Sequence, residues 1–535
     1  MYLQRTLISG ALTKLTVKDA AAWASSYLKR DVSESNITYL LQYAKVNKYL
    51  VGGKVLVDRN ELKDYYDKSI LKKENLWKHK LGSDLDWSLS FDNLREFETT
   101  KHVHRLHPYK GKFIPQLVEY FLDSHINSHK KKAFFRQGDI VLDPFMGSGT
   151  TLVQARELGL HSIGVDVSKF NCVIAKSKVE DYDFNALKLD LDNAFLATQK
   201  FSKSSFSEEH NNMLKERLFE FNRKYFPNPE YKHALRSGAI KENDYARKKA
   251  CFFVEENKEL LDKLLESKVP IARKSFFSKW YSPRIKEELF YYTQFIRSVV
   301  DEKIKRIMQV IISRTARSCR ATTHSDLATL KEPQYLPYYC EKHKKICFPI
   351  NSILKHLQKN TYGTIDRLEK FARLKKNVFC AVIEGDSRTI DLGTELDKES
   401  KEFADLVRAK KISGIFTSPP YVGQIDYHEQ HAYSYELFGI ERKDELEIGP
   451  LFKGNSSKVR EEYVDGVSQV LSNVSRFVKD DGNFFIVAND KYNLYSEIAR
   501  RSGLKIVDRF KRPVLNRTEK DRAPYCETIF HMQKS

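Results

Sequence analysis

Short apolar runs separated by glycine and acidic residues begin near residue 138 and dominate the pattern of the chain. GDIVLDPF and HSIGVDVS are the first two, and each has the length and composition of a buried strand. The alternation ends after residue 175 and gives way to roughly two hundred residues rich in Lys, Phe and Tyr. It resumes with NVFCAVIEGD and continues through SGIFTSPPY, GNFFIVAND, LKIVDRF and ETIFHMQ. This pattern predicts an α/β fold in which a long segment interrupts one sheet.

The first 66 residues carry the pattern of a small helical unit. LTVKDAAAWASSYL and SESNITYLLQYAKV have helical spacing, and KYLVGGKVLVD is typical of a hairpin that turns at Gly52-Gly53. This order resembles the winged helix-turn-helix of the excisionase and MerR type. The resemblance implies a DNA-binding domain over residues 1–68, with Ser35–Lys45 as recognition helix and Lys48–Lys54 as basic wing. The alternative is a small helical domain that docks on a protein surface.

Positive charge is concentrated in two regions of a chain whose net charge is +20. Residues 1–80 hold 15 Lys+Arg against 8 Asp+Glu, and residues 176–375 hold 40 against 26, whereas the remainder holds 36 against 37. Such an excess indicates either two strongly solvated surfaces or a nucleic-acid footprint around a neutral body. Interleaved aromatic residues, as in FFSKWYSPRIKEELFYY, favour a phosphate-gripping and base-reading surface for 176–375, with a helical scaffold as the alternative.

Length and composition exclude several classes of protein. At 535 residues, 41% of them hydrophobic, the chain can form two or three domains with packed cores. No run approaches the ~20 consecutive apolar residues of a membrane span, and the N-terminal residues lack the pattern of a signal peptide. Seven dispersed cysteines form no disulfide framework. We therefore expect a cytoplasmic protein with reduced thiols and no membrane partner.

A glycine-rich turn follows the first strand of the predicted sheet. Asp143-Pro-Phe-Met-Gly-Ser-Gly-Thr-Thr151 lies between GDIVL and the helical TTLVQARELG. Gly147 and Gly149 let the backbone approach a ligand closely, and the helix N-terminus beyond them favours a carboxylate. The second strand ends at Asp166, which is suited to the paired hydroxyls of a ribose.

Two successive prolines, Pro419 and Pro420, follow another strand in Thr417-Ser-Pro-Pro-Tyr421. They restrict the backbone, so the carbonyl groups there have nearly fixed directions. An amino group on a base ring is a poor nucleophile, and acceptors that bind both of its hydrogens favour a more tetrahedral nitrogen. The Ser418 hydroxyl and the Pro419 carbonyl fit this task, and the Tyr421 ring can stack on an extrahelical base. Alone, Pro-Pro-Tyr is equally a polyproline recognition motif.

Together these motifs resemble those of the amino-methylating DNA methyltransferases of bacterial modification systems. DPFMGSGTT is similar to their cofactor loop, and TSPPY to their catalytic tetrapeptide in its Ser form. HPYKGKFIP at 107–115 resembles the motif that packs against the methionine end of the cofactor in circularly permuted members. Asp386 lies where the family places an acid near the cofactor adenine. The resemblance implies S-adenosylmethionine as cofactor and double-stranded DNA as substrate.

The resemblance also implies a fold, a domain plan and the residues of the site. The fold is an α/β class I S-adenosylmethionine-dependent methyltransferase with a Rossmann-like seven-stranded sheet. Residues 69–175 and 376–535 form its two parts, and 176–375 is a mainly helical insertion for target recognition, although it lies outside the usual recognition position. The implied catalytic residues are Ser418, Pro419, Pro420 and Tyr421. The implied cofactor-binding residues are Tyr109, Lys112, Phe113, Pro115, Asp143, Pro144, Phe145, Gly147, Ser148, Gly149, Thr150, Asp166 and Asp386.

Ser418 favours cytosine N4 as the methyl acceptor, with adenine N6 as the alternative, because the family's adenine members more often have Asp or Asn there. Transfer to cytosine C5 needs a cysteine, usually after proline, and no cysteine here follows one. A separately encoded restriction endonuclease is the protein partner that such a system implies. The competing interpretations are an RNA methyltransferase and a DNA-binding regulator with a degenerate methyltransferase body. Intact Gly147, Gly149, Ser418 and Tyr421 argue against the regulator.

Soft metal ligands lie close together in the insertion. Cys340-x2-His343-x3-Cys347, with Cys319 upstream as the fourth ligand, has the residue types that bind structural zinc. The spacing matches no standard zinc finger, so a plain loop with buried thiols is the alternative.

Overall fold

The computed structural model describes residues 13–28, 32–42, 45–92, 94–127, 129–204, 207–266, 275–324, 326, 330–515 and 524–535. Within these ranges no helix is both long and apolar enough to cross a membrane. The chain divides into two compact units, one of residues 1–100 with 483–535 and the other of residues 101–482.

The N-terminal part of the first unit combines a small sheet with helices. Its elements are β1 (Lys14–Thr16), α1 (Val17–Leu28), α2 (Glu34–Gln42), β2 (Tyr49–Val51), β3 (Lys54–Asp58), α3 (Arg59–Leu81) and α4 (Glu96–Thr99). The strands pair antiparallel in the order β1-β3-β2. Gly52 and Gly53 connect β2 to β3 with φ of +57° and +76°, which glycine adopts readily. The Asp58 carboxylate caps α3 by accepting from the amides of Asn60 and Glu61.

The expected order of helix, helix and hairpin is present in this part of the chain, and the predicted wing coincides with the β2–β3 hairpin. α2 covers most of the predicted recognition helix 35–45, and residues 43 and 44 lie outside the described ranges. Ile37 and Leu40 on α2 are buried against Ala20 and Ala24 on α1. α3 continues through residue 68, the expected end of this domain, to Leu81. DNA binding by this part stays a prediction.

The second unit opens with the first strands of the main sheet. Its first elements are α5 (Pro115–Leu122), β4 (Ile140–Asp143), α6 (Thr150–Leu158), β5 (His161–Asp166) and α7 (Lys169–Val179). Every residue of β4 is buried, as its apolar run predicts. β4 and β5 are parallel, with α6 as the crossover between them.

The following two hundred residues are mainly helical, as predicted. They contain α8 (Phe184–Ser204), α9 (Ser207–Tyr225), α10 (Glu230–Arg236), α11 (Glu242–Glu256), α12 (Lys258–Leu265), α13 (Phe276–Trp280), α14 (Pro283–Ser298), α15 (Glu302–Ser318), the hairpin β6 (Tyr338–Cys340) and β7 (Lys345–Cys347), and α16 (Leu354–Ala372). They form no single separate core. Two helices of this region, α15 and α16, share one core with α7. This core contains Ile307 and Ile311 of α15, Leu357 of α16, and Phe170 and Ile174 of α7.

A smaller second core lies within this helical region. It contains Phe221 of α9, Phe253 of α11, Leu261 of α12 and Ile346 of the β6–β7 hairpin. This part of the insertion is therefore packed as a lobe with its own core. The expected boundary after residue 175 falls inside α7, which ends at Val179.

The remaining elements complete the sheet. They are β8 (Cys380–Glu384), α17 (Leu392–Glu399), α18 (Lys401–Lys410), β9 (Ile412–Thr417), α19 (Ala432–Phe438), α20 (Ser457–Ser475), β10 (Val478–Ala488), α21 (Tyr495–Arg501), β11 (Leu504–Pro513) and β12 (Cys526–Lys534). The strand order is β11-β12-β10-β9-β4-β5-β8. Strands β9, β4, β5 and β8 are parallel to their neighbours in this group, and β12 is antiparallel to both β10 and β11. The predicted seven-stranded α/β class is confirmed, and the carboxyl ends of the parallel strands share one edge, where ligands bind in such sheets.

Candidate active site

The turn between β4 and α6 lies at the carboxyl edge of the sheet. Gly147 and Gly149 have φ of +50° and +75°, in the left-handed region that favours glycine. A Cβ atom on Gly147 would lie 3.0 Å from the Tyr109 hydroxyl oxygen, and one on Gly149 would lie 3.0 Å from the Ala175 Cβ atom. Gly147 is therefore needed for close packing against the 107–115 segment, and Gly149 for packing against α7.

Asp143 ends β4 and joins the glycine turn to the Ser-Pro-Pro-Tyr segment. Its Oδ1 accepts a hydrogen bond from the Thr417 hydroxyl at 2.6 Å, and its Oδ2 accepts one from the Thr151 hydroxyl at 2.7 Å. The Phe145 amide donates to Oδ1 at 3.2 Å. Burial raises the pKa of Asp143 to about 6. The position of this carboxylate indicates a connecting role between two loops.

Asp166 ends β5 and organises the other side of the turn. Its Oδ2 accepts from the Gly147 amide at 2.8 Å, while its Oδ1 accepts from the Ser168 amide at 2.8 Å and from the Asn171 side-chain amide at 3.0 Å. Burial raises the pKa of Asp166 to about 6. A carboxylate oxygen can accept more than one hydrogen bond, so Asp166 is still able to accept from a ligand.

A cleft of about 870 Å³ lies against these segments. The expected residues that line it are Tyr109, Lys112, Phe113, Pro144, Phe145, Gly147, Ser148, Thr150, Asp166, Asp386, Ser418 and Pro420. The lining does not include the other expected residues, which are Pro115, Asp143, Gly149, Pro419 and Tyr421. The structure thus brings the glycine turn, the two acids after β5 and β8, and part of the Ser-Pro-Pro-Tyr segment to one cleft.

The 107–115 segment covers part of this cleft. The Tyr109 hydroxyl accepts from the Asn171 side-chain amide at 3.3 Å, and the Phe113 ring packs edge-on against Phe416 of β9 with centroids 5.4 Å apart. The Lys112 ammonium donates to the His104 carbonyl at 2.6 Å. Burial and nearby arginines lower the pKa of Lys112 to about 8. Pro115 is the first residue of α5, where its lack of an N–H group is tolerated.

Similarity to known proteins identifies the group to which this chain belongs. A sequence model of a DNA methylase family, N6/N4 type, matches residues 12–177. Type II methyltransferase M.MjaII of Methanocaldococcus jannaschii is 51% identical over 522 residues, which is 97% of this chain and 96% of that protein. The chain belongs to the amino-methylating DNA methyltransferase family. It is therefore an S-adenosylmethionine-dependent DNA methyltransferase.

Two more distant similarities cover less sequence or less structure. Type II methyltransferase M.BsoBI of Geobacillus stearothermophilus is 29% identical over 111 residues, which is 21% of this chain and 20% of that protein. A solved rRNA methyltransferase, aviRa of Streptomyces viridochromogenes, covers 82% of this chain and 94% of its own at 9% identity and a TM-score of 0.29. That structural likeness is too weak to support a conclusion about fold or substrate.

Several cleft residues of the methyltransferase were missed by sequence reasoning. Ser168 and Asn171 follow the acid of β5, and Ser168 caps α7 by accepting from the Asn171 amide. Ser168 lies two residues after the acid that ends β5, and a helix-capping serine at that position is a sequence signal that indicates both residues. Tyr427, His428 and Glu447 also line the cleft but carry no comparable sequence signal, because loops distant in sequence bring them there.

These missed residues are connected by hydrogen bonds. The Tyr435 hydroxyl lies 2.6 Å from both the Ser168 hydroxyl and the His428 Nδ1 atom, so α7, α19 and the 421–431 loop are joined. Glu447 accepts from the His428 amide at 2.6 Å. Burial raises the pKa of Glu447 to about 7, so this carboxyl group can hold a proton near neutral pH.

The cleft has polar atoms that a bound S-adenosylmethionine could satisfy. The Ser148 hydroxyl, the Asn171 Oδ1 atom, the His428 Nε2 atom and one Glu447 oxygen are buried without a hydrogen-bond partner among the described residues. Buried polar atoms are normally paired, and an unpaired group in a cleft indicates a missing ligand or water. Ser148 also precedes the N-terminus of α6, which favours a carboxylate. The residues present therefore fit the cofactor.

Asp386 enters the cleft from the turn after β8. Its carboxylate forms a close pair with Arg388, whose Nε lies 2.9 Å from both carboxylate oxygens. The Arg388 amide also donates to Asp386 at 2.9 Å. This pairing fixes the direction of the carboxylate at the cleft wall, where the resemblance places the adenine of the cofactor.

The predicted metal ligands are only partly together. Cys340, His343 and Cys347 are neighbours, but the fourth group beside them is His324. Cys319 lies outside this group: it caps the end of α15, and its thiol is buried in the apolar core.

Gly147→Val is expected to weaken S-adenosylmethionine binding at least tenfold, or about 1.4 kcal/mol, because the side chain would meet the Tyr109 ring and strain the turn.

Tyr421→Ala is expected to reduce methyl transfer while keeping cofactor affinity within about twofold, because Tyr421 is assigned to the base. Calorimetric titration and a methylation assay measure the two effects. Gly238→Val is the matched control for backbone strain, since Gly238 has φ +75° and open space around it. Equal losses of affinity in the Gly147 and Tyr421 variants would contradict this division of roles.

Cofactor affinity is expected to fall as the pH drops below about 6, by up to tenfold per pH unit, because Asp166 then takes up a proton and loses acceptor capacity. Above that pH the Asp166 carboxylate is ionised and contributes no further pH dependence. Calorimetry from pH 5 to 8 measures the profile. Asp166→Asn should bind weakly and lose the fall below pH 6, whereas Asp143→Asn should keep it. An unchanged slope in Asp166→Asn would rule out Asp166 as its origin.

Proposed function

We propose that this methyltransferase transfers the methyl group of S-adenosylmethionine to N4 of cytosine in double-stranded DNA. The observation that carries the proposal is the shared cleft: Ser418 and Pro420 line it together with Gly147, Asp166 and Asp386. This shared lining supports a base-amino site beside a cofactor site. The Ser form of the tetrapeptide favours cytosine over adenine, as the family resemblance implies.

The residues after β9 are suited to activate a base amino group. The Asp143–Thr417 hydrogen bond holds the strand end just before Ser418. The Ser418 hydroxyl and the Pro419 carbonyl can accept the two amino hydrogens, which increases the nucleophilic character of the nitrogen as attack begins. Bound S-adenosylmethionine supplies an electrophilic methyl group on a sulfonium. The amino proton is released after the transfer, and no covalent bond between enzyme and base is required.

Two tyrosines are candidates for holding an extrahelical base. Tyr421 belongs to the tetrapeptide and is partly buried beside the cleft. Tyr427 lines the cleft itself, with its ring centroid 6.1 Å from that of Tyr109 and the planes tilted by 32°. A base taken out of the duplex needs an aromatic or apolar surface on which to stack. We assign stacking to Tyr421 and placement of the base edge to the wall that contains Tyr427.

The cofactor is proposed to lie along the glycine turn. Ser148 and the α6 N-terminus would bind its carboxylate, with Lys112 as a nearby cation. Asp166 would accept from the ribose hydroxyls. Asp386 would lie near the adenine. Asn171 contributes a buried amide oxygen that is free to accept from the cofactor.

An open basic groove of about 2190 Å³ in the helical region is the proposed DNA-binding surface. Its cationic lining residues are Lys215, Arg284, Arg317, Arg320, Lys345 and Lys355. Arg284 pairs with Glu208 and Glu288, so its charge is largely used within the protein. Lys215, Lys345 and Lys355 are exposed and available to phosphates, and Phe219 presents a ring that is 66% exposed. Cations with an exposed ring are what backbone grip and base contact require.

The groove leads toward the candidate active site. Arg317 and Arg320 line both the groove and a second cleft, and this second cleft is also bounded by Tyr109, Gln424 and Ile425. Tyr109 in turn lines the cofactor cleft. A duplex in the groove would therefore have a path from the helical region to the loop that follows the tetrapeptide. This supports target recognition by residues 176–375.

The biological setting is proposed from the relatives. M.MjaII and M.BsoBI are named type II methyltransferases. We infer that this enzyme belongs to a restriction-modification system, that a separately encoded endonuclease reads the same DNA site, and that both act in the cytoplasm. We further propose that the N-terminal winged helix-turn-helix-like unit adds DNA contacts through its wing.

Digestion of enzymatically methylated DNA to nucleosides, followed by mass spectrometry, is expected to yield N4-methylcytosine. N6-methyladenine as the sole product would replace the proposed target while preserving the mechanism. The absence of both methylated nucleosides, with DNA and S-adenosylmethionine each bound, would overturn the function. Ser418→Ala should reduce the product without loss of cofactor binding.

Removal of lysines from either proposed DNA-binding surface is expected to lower the salt dependence of DNA binding. The two double variants are Lys215→Gln/Lys355→Gln in the groove and Lys48→Gln/Lys54→Gln in the wing. Each lost phosphate contact reduces the slope of log affinity against log salt by about 0.9, because fewer counterions are released. Salt titrations measure the slope, and methylome sequencing shows whether the recognition site changes. Lys410→Gln/Lys411→Gln replaces two exposed lysines at the end of α18 and is the matched control. An unchanged slope in either test variant would remove that surface from the DNA interface.

A further inference from the structure

Four metal-ligating side chains converge beside the β6–β7 hairpin. Cys340 ends β6, Cys347 ends β7, and His343 lies in the turn between them. His324 comes from a separate segment that follows α15. One ligand atom from each of the four lies within 4.8 Å of all the others.

The hairpin brings three of these groups together through its tight turn. The amides of His343 and Lys344 both donate to the Cys340 carbonyl, at 3.1 and 2.7 Å. Lys344 has φ +54°, a left-handed conformation that reverses the chain. The turn therefore places the His343 ring over the gap between the two strand ends, where Cys340 and Cys347 face it.

The distances among these atoms match a tetrahedral zinc centre. The Cys340 Sγ atom lies 3.5 Å from His324 Nδ1 and 3.6 Å from His343 Nδ1. The Cys347 Sγ atom lies 3.4 Å from His343 Nδ1. In tetrahedral coordination, Zn–S bonds of about 2.3 Å and Zn–N bonds of about 2.0–2.1 Å separate sulfur from nitrogen by about 3.5 Å. Hydrogen bonds alone do not require four such groups to enclose one point.

We propose that His324, Cys340, His343 and Cys347 bind one structural zinc ion. Zinc binding forms two Zn–S and two Zn–N bonds, and the two thiols release their protons to solvent. The two thiolates then neutralise the charge of the ion, and four protein ligands leave no open position for catalysis.

Tyr338 is the main competing partner in the cluster. Its hydroxyl lies 2.8 Å from His324 Nδ1 and accepts from the His324 amide at 2.9 Å. Coordination through Nδ1 would displace the first of these contacts and keep the second. The amide contact holds the backbone of His324 in place, so Tyr338 acts as a support for the fourth ligand.

The proposed zinc site joins the DNA groove to the small helical core. Ile346 is buried in that core, and its amide and carbonyl both bond the Asn222 side chain of α9 at 2.9 Å. His324, Lys345 and Cys347 line the basic groove. Zinc would thus tie the segment after α15 to the hairpin and keep this wall of the groove in shape. The consequence for DNA binding rests on the proposed function, whereas the metal site itself does not.

Metal analysis of the full chain, purified under reducing conditions without chelator, is expected to show about one zinc ion per chain. Substitution of cobalt for zinc should give thiolate charge-transfer absorption and the strong visible bands of a tetrahedral site. His324→Gln and Cys340→Ser should each reduce bound zinc to a small fraction of the wild-type amount. His356→Gln, in the groove but outside the cluster, and Cys251→Ser, an exposed thiol, are the matched controls and should retain it.

Cys319→Ala separates this site from the ligand set that the sequence alone predicts. Zinc retained in Cys319→Ala and lost in His324→Gln supports the proposal, and the opposite result would overturn it. Absence of zinc from the wild-type protein, together with no tetrahedral cobalt spectrum, would also overturn it. Should a variant fail to fold, the cobalt spectrum of the wild-type chain remains decisive. Cofactor binding should persist after zinc removal, so failure of the metal site and failure of the methyltransferase assignment are distinguishable.

Discussion

The buried carboxylate of Asp143 links two parts of the candidate site that are far apart in sequence. Through its hydrogen bonds to Thr417 and Thr151, it connects the start of the Ser-Pro-Pro-Tyr segment with the first turn of α6. Both bonds are buried and short, and no residue of β4 is exposed, so the two loops are held by the sheet rather than by solvent-exposed contacts. The relative placement of a cofactor site and a base site therefore depends on one acid that does not line the cleft.

The arrangement of the insertion follows from how its helices are buried. Ile307 and Ile311 of α15 are packed into the same core as α7, so this helix is rigidly attached to the sheet layer. Arg317 lies in the last turn of that helix and lines both the basic groove and the second cleft. A groove lined by such a helix keeps a fixed distance from the cofactor cleft. The small core around Phe221 and Ile346 supplies the rest of the groove and depends on fewer apolar contacts.

The sheet could be predicted from the sequence because buried parallel strands have short apolar runs, and because β4, β5 and β9 end at recognisable motifs. Contacts between segments that are distant in sequence could not be predicted from it. Asp143 and Gly149 belong to the expected motif, yet the fold uses them to pack loops together, and a motif does not distinguish support from ligand contact. The sequence predicts Cys319 as a ligand from its residue type, whereas the group in the structure contains His324, and residue type alone does not distinguish the two. Glu447 and Tyr427 similarly depend on loop packing that has no periodic signal.

The cleft is maintained at a cost to stability. Asp143 and Asp166 are both buried, and burial raises the pKa of each to about 6 from the usual 3.8. Each shift corresponds to roughly 3 kcal/mol of unfavourable free energy once the group is ionised. Because the folded-state values are raised, the native chain binds more protons than the unfolded chain, and the free energy of unfolding falls as the pH rises from about 4 to about 6. Two acids retained at that cost, each hydrogen-bonded to backbone and side-chain donors, are better explained by a requirement for charge and fixed geometry at the cofactor turn than by a contribution to folding.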